Sequence, residues 1–221
     1  MPLETRKDDR QLPQLIAIEG PIGVGKTTLT KRLAETFGRE MLLEQAERNP
    51  FIERFYQNPR QSALATQLFF LFQRAQQIQD LRQGDLFSPA HITDFLIAKD
   101  RLFARINLDT DEYALYEKVY DQLTLDAPLP DLVIYLQAPT DVLMQRVRQR
   151  GIGYEQSIEY GYLEKINAAY SEFFLYYDDA PLLIVNAAQS DFANNESDFA
   201  LLLDRIGSIR HGRHFFNPSI L

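Results

Sequence analysis

The stretch that decides the fold reads Leu15-Ile16-Ala17-Ile18-Glu19-Gly20-Pro21-Ile22-Gly23-Val24-Gly25-Lys26-Thr27-Thr28. An apolar run leads directly into Gly-x4-Gly-Lys-Thr, the pattern of a phosphate-binding P-loop between a strand and a helix. Its glycines permit a tight turn that points several backbone N–H groups at one anion. A chance glycine-rich turn is the alternative, but it leaves the preceding strand pattern and the following amphipathic pattern over residues 27–37 unexplained. We therefore expect residues 20–28 to bind ATP or GTP.

Two side chains of this loop have expected roles of their own. Lys26 brings a positive charge to the β- and γ-phosphates, and the Thr27 hydroxyl is placed to ligate Mg²⁺. The helix that begins near Lys26 also directs its unpaired N–H groups and the positive end of its dipole at the same phosphates. The expected cofactors are therefore a nucleoside triphosphate and Mg²⁺.

Composition narrows the class of protein. The chain has 221 residues with 45% apolar content, which is enough for one substantial core and predicts a single domain. The formal net charge of −8 argues against nonspecific binding to nucleic acid or to an anionic membrane. The sequence contains no cysteine, so disulfides, a thiolate nucleophile and cysteine-ligated metals are excluded.

The chain shows no targeting or membrane signal. Residues 1–14 are charged and lack the apolar centre of a signal peptide, and no apolar run approaches the length of a membrane span. We expect a soluble, cytoplasmic protein in which only residues 1–12 and the tail from His211 are loosely held.

Short apolar segments alternate with helical patterns along the chain. The strand candidates are Leu15–Glu19, Met41–Glu44, His91–Phe95, Leu132–Ala138 and Leu182–Asn186. This alternation predicts an α/β fold, a P-loop NTPase-type three-layer sandwich with a five-stranded parallel sheet. Ligands of such sheets collect at the carboxyl ends of the strands, which draws attention to Glu44 and Asp94.

Two helical segments carry broad apolar stripes. The first runs from Pro59 to Gly84 and the second from Tyr162 to Tyr177, within a wider helical region of residues 155–178. Each stripe is wide enough to be covered by the sheet on one side and by a second copy of the chain on the other. The alternative is that both stripes fill the core of a monomer, and the pattern alone does not separate the two.

An arginine cluster follows the fourth strand candidate. Arg146, Arg148 and Arg150 precede the hinge-like Gly151-Ile152-Gly153, and Arg146 and Arg150 lie four residues apart on one helical face. Like charges so placed repel unless an anion lies between them, which favours a helical lid over residues 146–156 that closes on phosphates. The alternative is a solvated basic helix end favoured by the helix dipole.

Glu44 and Asp94 complete the candidate chemistry. Glu44 is expected to accept the proton of an attacking hydroxyl, although phosphoryl transfer depends chiefly on positioning and charge neutralisation. Asp94 is expected to hold Mg²⁺ with Thr27. A surface glutamate and a helix-capping aspartate are the corresponding structural alternatives.

With these residues in view, the sequence from Leu15 to about Phe199 resembles the deoxyribonucleoside kinase family. Glu44 opens a segment similar to the one that holds the family's general base, and Tyr56 falls where a tyrosine contacts the sugar 3′-hydroxyl. Gln67 and Arg74 match the residues that read the base. Because they are seven residues apart on one helix, they share a face at a separation of about 10 Å.

The resemblance extends to the lid and to the acid that holds the base-reading arginine. Asp100 is similar to that acid, which in the family also contributes to base recognition, so Asp100 is expected to read the base with Gln67 and Arg74. Arg146 and Arg150 match the arginine lid, and Glu155 falls where a glutamate grips the 3′-hydroxyl. By this resemblance the protein is a homodimer that packs through residues 59–84 and 155–178.

The chain departs from the family pattern at two positions. The family's Glu/Asp-Arg-Ser motif reads Asp94-Phe95-Leu96 here, so its arginine is missing and its role must fall to another residue, with Lys99 and Arg101 as candidates. In the lid, Ile152 stands where some members have another arginine. These changes are similar to a bacterial deoxyadenosine and deoxyguanosine kinase branch.

We therefore predict an ATP-dependent kinase that phosphorylates the 5′-hydroxyl of a deoxynucleoside, with purines favoured. A nucleoside monophosphate kinase is the nearest alternative, but it requires basic groups for the acceptor phosphate where Tyr56 and Glu155 lie. A GTPase-type switch requires an Asn-Lys-x-Asp segment that the sequence lacks. A kinase-like protein that binds nucleotide without turnover is the third alternative, and Phe95 favours it.

Overall fold

The computed structural model describes residues 12–83, 90–124 and 127–218 of the chain. The expectation for residues 1–11 and the predicted helix end at Gly84 lie outside the described residues. The strands are β1 (Leu15–Glu19), β2 (Glu40–Leu42), β3 (His91–Thr93), β4 (Leu132–Gln137), β5 (Leu182–Asn186) and β6 (Arg213–Phe216). The helices are α1 (Lys26–Phe37), α2 (Ile52–Gln57), α3 (Pro59–Gln83), α4 (Lys99–Asn107), α5 (Thr110–Thr124), α6 (Thr140–Arg150), α7 (Tyr160–Tyr176) and α8 (Glu196–Ser208).

The strands form one parallel sheet in the order β2-β3-β1-β4-β5-β6. The predicted parallel sheet is confirmed, but it has six strands instead of five. The sixth strand was missed because Arg213 and His214 interrupt any apolar run, and only Phe216 of this edge strand is buried. The expectation that the tail from His211 is loosely held was therefore wrong, since β6 pairs with β5.

Both faces of the sheet are buried. Ile16 and Ile18 of β1 join a core with α1, α6 and α8, whereas Ala17 joins a second core with α4 and α7. Because successive side chains of a strand point to opposite faces, this alternation places helices on each side of the sheet. The predicted three-layer sandwich is confirmed.

The two long helices find most of their partners within the chain. Leu64 and Leu68 of α3 pack in a cluster with the buried Tyr116 and Tyr120 of α5. The buried side chains of α7 are Leu163, Ile166, Tyr170 and Phe174. Packing inside one chain therefore covers much of both apolar stripes, whereas Phe72, Leu175 and Tyr176 stay exposed.

The carboxyl ends of the first three strands converge. β2 ends at Leu42 and β3 at Thr93, so Glu44 and Asp94 lie just beyond the strands and not within them as predicted. The Asp94 N–H donates to the Leu42 carbonyl at 3.2 Å, and the Asp94 carboxylate accepts the Glu44 N–H at 2.6 Å. Because β1 leads into the P-loop beside them, the loop and both acids meet at one edge of the sheet.

Candidate active site

The P-loop connects β1 to α1 with its backbone shaped for an anion. Gly23 and Gly25 have φ values of 84° and 106°, in the left-handed region that favours glycine. Gly25 caps α1 and has no side chain, so the first-turn N–H groups of the helix face outward. Residues 23–28 line a cavity of about 580 Å³ together with Arg146, Arg150 and residues 188–194. We call this space the donor cavity.

Gly20 is required by close packing. Its φ is +149°, and a Cβ at this position would lie 2.5 Å from the Leu136 carbonyl oxygen. We expect Gly20→Ala to lower the free energy of unfolding by about 1–3 kcal/mol, because the strand or the loop must shift to relieve the clash. Denaturant unfolding measures this change. Gly207→Ala is the matched control, since a Cβ there meets nothing within 4 Å and alanine favours the helix. Equal stability of the two variants would contradict the expectation.

Lys26 is held by the loop itself. Its ammonium donates to the Gly20 carbonyl at 2.7 Å and to the Pro21 carbonyl at 3.3 Å. Burial and the nearby Lys99 lower the pKa of Lys26, and neighbouring carboxylates oppose this shift. The loop therefore keeps the ammonium inside the site, beside the phosphate-binding N–H groups.

A second cavity of about 400 Å³ adjoins the first and is called the acceptor cavity. The predicted site residues that line it are Ile22, Gly23, Lys26, Thr27, Glu44, Tyr56, Gln67, Arg74, Asp94, Arg150 and Glu155. Gly23, Lys26, Thr27 and Arg150 line both cavities. The two spaces therefore meet at the lysine of the P-loop. Of the other predicted residues, Asp100 lines neither cavity and Arg146 lines only the donor cavity.

Thr27 and Asp94 lie where the cavities meet. The Thr27 hydroxyl donates to Asp94 Oδ2 at 2.6 Å, so two oxygen ligands of the kind that Mg²⁺ prefers are adjacent. Within residues 12–83, 90–124 and 127–218, no group of three or more histidine, cysteine, aspartate or glutamate residues could hold a metal ion. These donors fit an ion that takes its remaining ligands from phosphates and water, which is typical of Mg²⁺ in phosphoryl-transfer sites.

Glu44 is held between two cations. Arg74 Nη2 lies 2.7 Å from Glu44 Oε1, and Lys99 Nζ lies 2.7 Å from Glu44 Oε2. Burial favours the protonated form, but Arg74 and Lys99 outweigh it and hold the pKa of Glu44 well below its usual range. Glu44 is therefore a carboxylate of fixed orientation that is ionised at any physiological pH.

Of the two candidates to replace the missing family arginine, Lys99 is the one that contacts Glu44. Phe95, where the family pattern has an arginine, is buried, and the Lys99 ammonium contacts Glu44 and lies 3.5 Å from Glu19 Oε1. Burial lowers the pKa of Lys99, but Glu19 and Glu44 raise it more, so the side chain stays charged. Arg101, the other candidate, is partly exposed and contacts Asp121 instead.

Glu19 escaped the sequence reasoning. It is fully buried at the end of β1, where it accepts hydrogen bonds from the Leu96 N–H at 2.7 Å and from the Tyr170 hydroxyl at 2.8 Å. An acid that ends an apolar strand directly before a P-loop was the available signal. Its carboxylate gives Lys99 a second anionic partner.

We expect Lys99→Met to lower kcat/KM about 10²-fold, because one preorganised charge beside Glu44 is lost. Arg101→Met is the matched control, two residues along on the exposed side of the same helix. It should change kcat/KM less than about twofold, since surface ion pairs contribute little. Steady-state kinetics and thermal unfolding of both variants measure the effect. A Lys99→Met variant with wild-type kinetics would show that the charge of Lys99 does not contribute to catalysis.

Arg74 connects Glu44 to a second acid. Its Nη1 contacts Asp100 Oδ1, and both side chains are buried. Burial raises the pKa of Asp100 to about 6, although Arg74 and Lys99 act in the opposite direction. Because Asp100 lies behind Arg74 and lines neither cavity, it reaches a ligand only through the arginine. Gln67 and Arg74 do line the same wall, as their spacing on α3 predicted.

Aromatic rings line part of the acceptor cavity. The rings of Tyr56 on α2 and Tyr154 in the 3-10 helix Gly153–Ser157 stack at 6.1 Å with an interplanar angle of 4°. Tyr162 meets Tyr56 edge to face, and Glu155 lines the same cavity. Burial raises the pKa of Tyr56 well above its usual value, so its hydroxyl keeps its proton. Tyr154 was missed, although its position beside Glu155 was a usable signal.

The lid arginines have separate partners. The Arg146 guanidinium donates to the Ala187 carbonyl at 2.8 Å and to the Val24 carbonyl at 3.3 Å. Arg150 donates through Nε and Nη2 to the Glu155 carboxylate, at 3.1 Å for Nε. From the sequence, an anion was expected to offset the repulsion between Arg146 and Arg150. In the structure, two backbone carbonyl groups bind Arg146 and the Glu155 carboxylate binds Arg150, and these contacts offset that repulsion.

Comparison with known proteins decides the family. The family model described as deoxynucleoside kinase matches residues 16–210 of the chain. The chain belongs to the deoxynucleoside kinase family. It is 37% identical over 193 residues to a deoxyguanosine kinase from Bacillus subtilis (strain 168), a match that covers 83% of this chain and 91% of the relative. It is also 27% identical to a deoxyadenosine/deoxycytidine kinase of the same organism, over 89% of this chain and 93% of the relative.

Solved structures of this family share the fold. A deoxyadenosine kinase from M. mycoides with bound dATP superposes with a TM-score of 0.76 at 27% identity, covering 88% of this chain and 99% of that one. A second structure of the M. mycoides enzyme, with bound dCTP, gives a TM-score of 0.75.

Family membership settles the class of reaction. As a deoxynucleoside kinase, the chain is an ATP-dependent phosphotransferase that acts on deoxynucleosides. The alternatives of a GTPase-type switch and of a monophosphate kinase are thereby set aside. None of the helices in the described parts of the chain combines the length and apolar character needed to cross a membrane.

Proposed function

We propose that this deoxynucleoside kinase transfers the γ-phosphate of ATP to the 5′-hydroxyl of a purine deoxynucleoside, with the reaction centred on Glu44. The observation that carries this assignment is the position of the Glu44 carboxylate. It lines the acceptor cavity with Lys26 and Thr27 of the P-loop and with the base-reading candidates Gln67 and Arg74. A hydroxyl bound to Glu44 would therefore face the end of a triphosphate bound on the loop.

Glu44 has the role of orienting the hydroxyl and accepting its proton. Its low pKa makes it a weak base, so proton transfer follows as the new P–O bond forms and the hydroxyl becomes acidic. Lys26, Arg146 and Arg150 neutralise the negative charge that spreads over the phosphate oxygens. Residues 20–28 hold the donor phosphates through backbone N–H groups.

Thr27 and Asp94 would hold Mg²⁺ with the phosphates of the donor. When bound, this ion would supply positive charge that neutralises the phosphates of the donor. The chain's own contribution is to keep both oxygen ligands adjacent, since the Asp94 carboxylate is fixed by the Thr27 hydroxyl and the Glu44 N–H.

We assign base and sugar recognition to side chains in and behind the acceptor cavity. Gln67 offers both a donor and an acceptor to a base edge, and Arg74 offers a charged donor that Asp100 holds in place. Tyr56 and Glu155 are assigned to the sugar 3′-hydroxyl. The purine preference draws support from the names of the relatives, a deoxyguanosine kinase and a deoxyadenosine/deoxycytidine kinase.

The test is phosphate transfer from ATP and Mg²⁺ to deoxyguanosine, deoxyadenosine, deoxycytidine and thymidine, with the four 5′-monophosphates as parallel acceptors. We expect transfer to the purine deoxynucleosides with the highest kcat/KM. A higher kcat/KM for a pyrimidine would overturn the purine preference. Transfer to monophosphates alone would overturn the assignment of Tyr56 and Glu155 to the sugar.

We also propose a homodimer through α3 and α7. Its support is the exposure of large apolar side chains on these helices, 54% for Phe72, 58% for Leu175 and 76% for Tyr176. Light scattering should give twice the chain mass, and Tyr176→Glu should shift the protein to the monomer. A monomeric wild-type chain would contradict the proposal.

A further inference from the structure

The ion pair between Arg150 and Glu155 lies between the donor and acceptor cavities. Arg150 lines both cavities, whereas Glu155 lines only the acceptor cavity. Arg150 is 45% exposed and Glu155 only 8%, so the carboxylate is buried and the guanidinium reaches outward from it. One residue that faces the donor is thus bound directly to one that faces the acceptor.

The pair has donors and acceptors to spare. Arg150 uses Nε and Nη2 for Glu155, and its Nη1 makes no hydrogen bond to any residue in the described ranges. A guanidinium has five N–H donors and a carboxylate about four acceptor sites. Arg150 can therefore donate to a phosphate while it stays bound to Glu155, and Glu155 can accept a hydroxyl at the same time.

Hydrogen bonds hold the turn that carries Glu155 against α6. The 3-10 helix that carries Glu155 is closed by hydrogen bonds from the Glu155 N–H to the Ile152 carbonyl and from the Ile158 N–H to the Glu155 carbonyl. Gln156 Nε2 also donates to the Val147 carbonyl of α6 at 3.4 Å. Because Tyr154 stacks on Tyr56, this turn is attached to the acceptor side as well.

We propose that the Arg150–Glu155 pair couples the two substrates, so that a 3′-hydroxyl on Glu155 positions Arg150 for the donor phosphates. Glu155 is then a positioning residue for the phosphate as well as a sugar ligand. The coupling is positive, because a carboxylate fixed by the sugar holds the guanidinium in one orientation before the triphosphate arrives. This inference rests on the proposed function, which assigns Glu155 to the sugar and Arg150 to the phosphates.

Calorimetric titration tests the coupling without turnover. The probe is β,γ-methylene-ATP with Mg²⁺, titrated into the full chain alone, with saturating deoxyguanosine, or with saturating 2′,3′-dideoxyguanosine. We expect deoxyguanosine to tighten binding of the analogue about tenfold, within the usual range of allosteric coupling. Dideoxyguanosine, which lacks the 3′-hydroxyl, should change it less than about twofold.

Two variants distinguish coupling through the Arg150–Glu155 pair from a general effect of a nucleoside bound in the acceptor cavity. In Glu155→Gln, deoxyguanosine should tighten the analogue no more than dideoxyguanosine does. Glu159→Gln, an exposed acid four residues later that caps α7 without a side-chain hydrogen bond, should keep the tenfold effect. If both nucleosides tighten analogue binding equally in the wild type, the proposal is overturned without any variant. It is also overturned if deoxyguanosine weakens binding of the analogue to the wild type.

The failure of this inference is distinct from failure of the proposed function. A chain that phosphorylates deoxyguanosine but shows no difference between the two nucleosides keeps its function and loses the coupling. A chain that phosphorylates no deoxynucleoside loses both.

Discussion

Glu44→Gln should lower kcat by about 10²–10⁴-fold, the usual contribution of a positioned general base. Glutamine keeps the shape of the side chain but cannot take a proton from the 5′-hydroxyl. It also removes one negative charge between Arg74 and Lys99. These cations keep Asp100 and Glu19 as partners, so the variant should fold. Binding of ATP, measured by calorimetry, should change little because Glu44 does not line the donor cavity.

Glu47→Gln is the matched control for this prediction. Glu47 is an exposed carboxylate that lines the same cavity three residues later, and its replacement should change kcat less than about threefold. An unchanged rate for Glu44→Gln, with thermal unfolding at the wild-type temperature, would eliminate Glu44 as the base.

The dependence of kcat on pH is a second test of the role of Glu44. Arg74 and Lys99 hold its pKa below the usual glutamate range, so it loses its proton at a lower pH than an exposed glutamate. A fall in kcat as the pH drops from about 7 to about 5 should therefore not arise from Glu44. Lys99→Met removes the Glu44–Lys99 ion pair, so the pKa of Glu44 should rise. The pH below which kcat falls should then move toward neutral pH.

Lys26→Met should lower kcat/KM for ATP about 10²–10³-fold, the usual cost of one preorganised stabilising group. The methionine keeps most of the side-chain volume but brings no charge to the phosphates. It also removes the donor to the Gly20 and Pro21 carbonyls, so stability must be measured in parallel by thermal unfolding. A loss of rate that greatly exceeds the change in folded fraction assigns the effect to phosphate binding.

Lys31→Met provides the comparison for Lys26. Lys31 is exposed on the same helix and lines the acceptor cavity, so it carries the same charge at the edge of the site. Its replacement should change kcat/KM less than about threefold, because an exposed charge is screened by water and salt. Similar losses for both variants would show that general electrostatic attraction, and not the loop lysine, determines the rate.

Residues whose spacing is set by local backbone geometry were predictable. The P-loop residues 20–28 follow from a fixed turn, and Gln67 and Arg74 share a wall because seven residues are two helical turns. Glu44 and Asp94 were expected at the carboxyl ends of parallel strands, and the structure places them just beyond β2 and β3, joined by a hydrogen bond of 2.6 Å from the Glu44 N–H to the Asp94 carboxylate.

Residues whose roles depend on distant partners were not predictable in the same way. The partners of Glu19 lie far along the chain, so its role could not be read from its own segment. Lys99 stood equal with Arg101 until the structure brought it to Glu44. Asp100 was expected to touch the ligand but lies behind Arg74. The edge strand β6 was missed because its residues carry no apolar run of their own.

The sequence by itself determined the parallel α/β architecture, the phosphate loop and the membership of a kinase family, because these depend on short patterns of backbone conformation and apolar spacing. Only the tertiary structure decided that Lys99 is the cation beside the proposed catalytic base Glu44 and that Glu19 is the second acid in contact with Lys99. It also decided that Arg150 is the arginine that lines both cavities. Those choices depend on buried charges from separate elements, where one carboxylate accepts whichever cation the packing brings within about 3 Å. Glu44 and Lys99 are 55 residues apart in the chain, and only the fold brings them into contact.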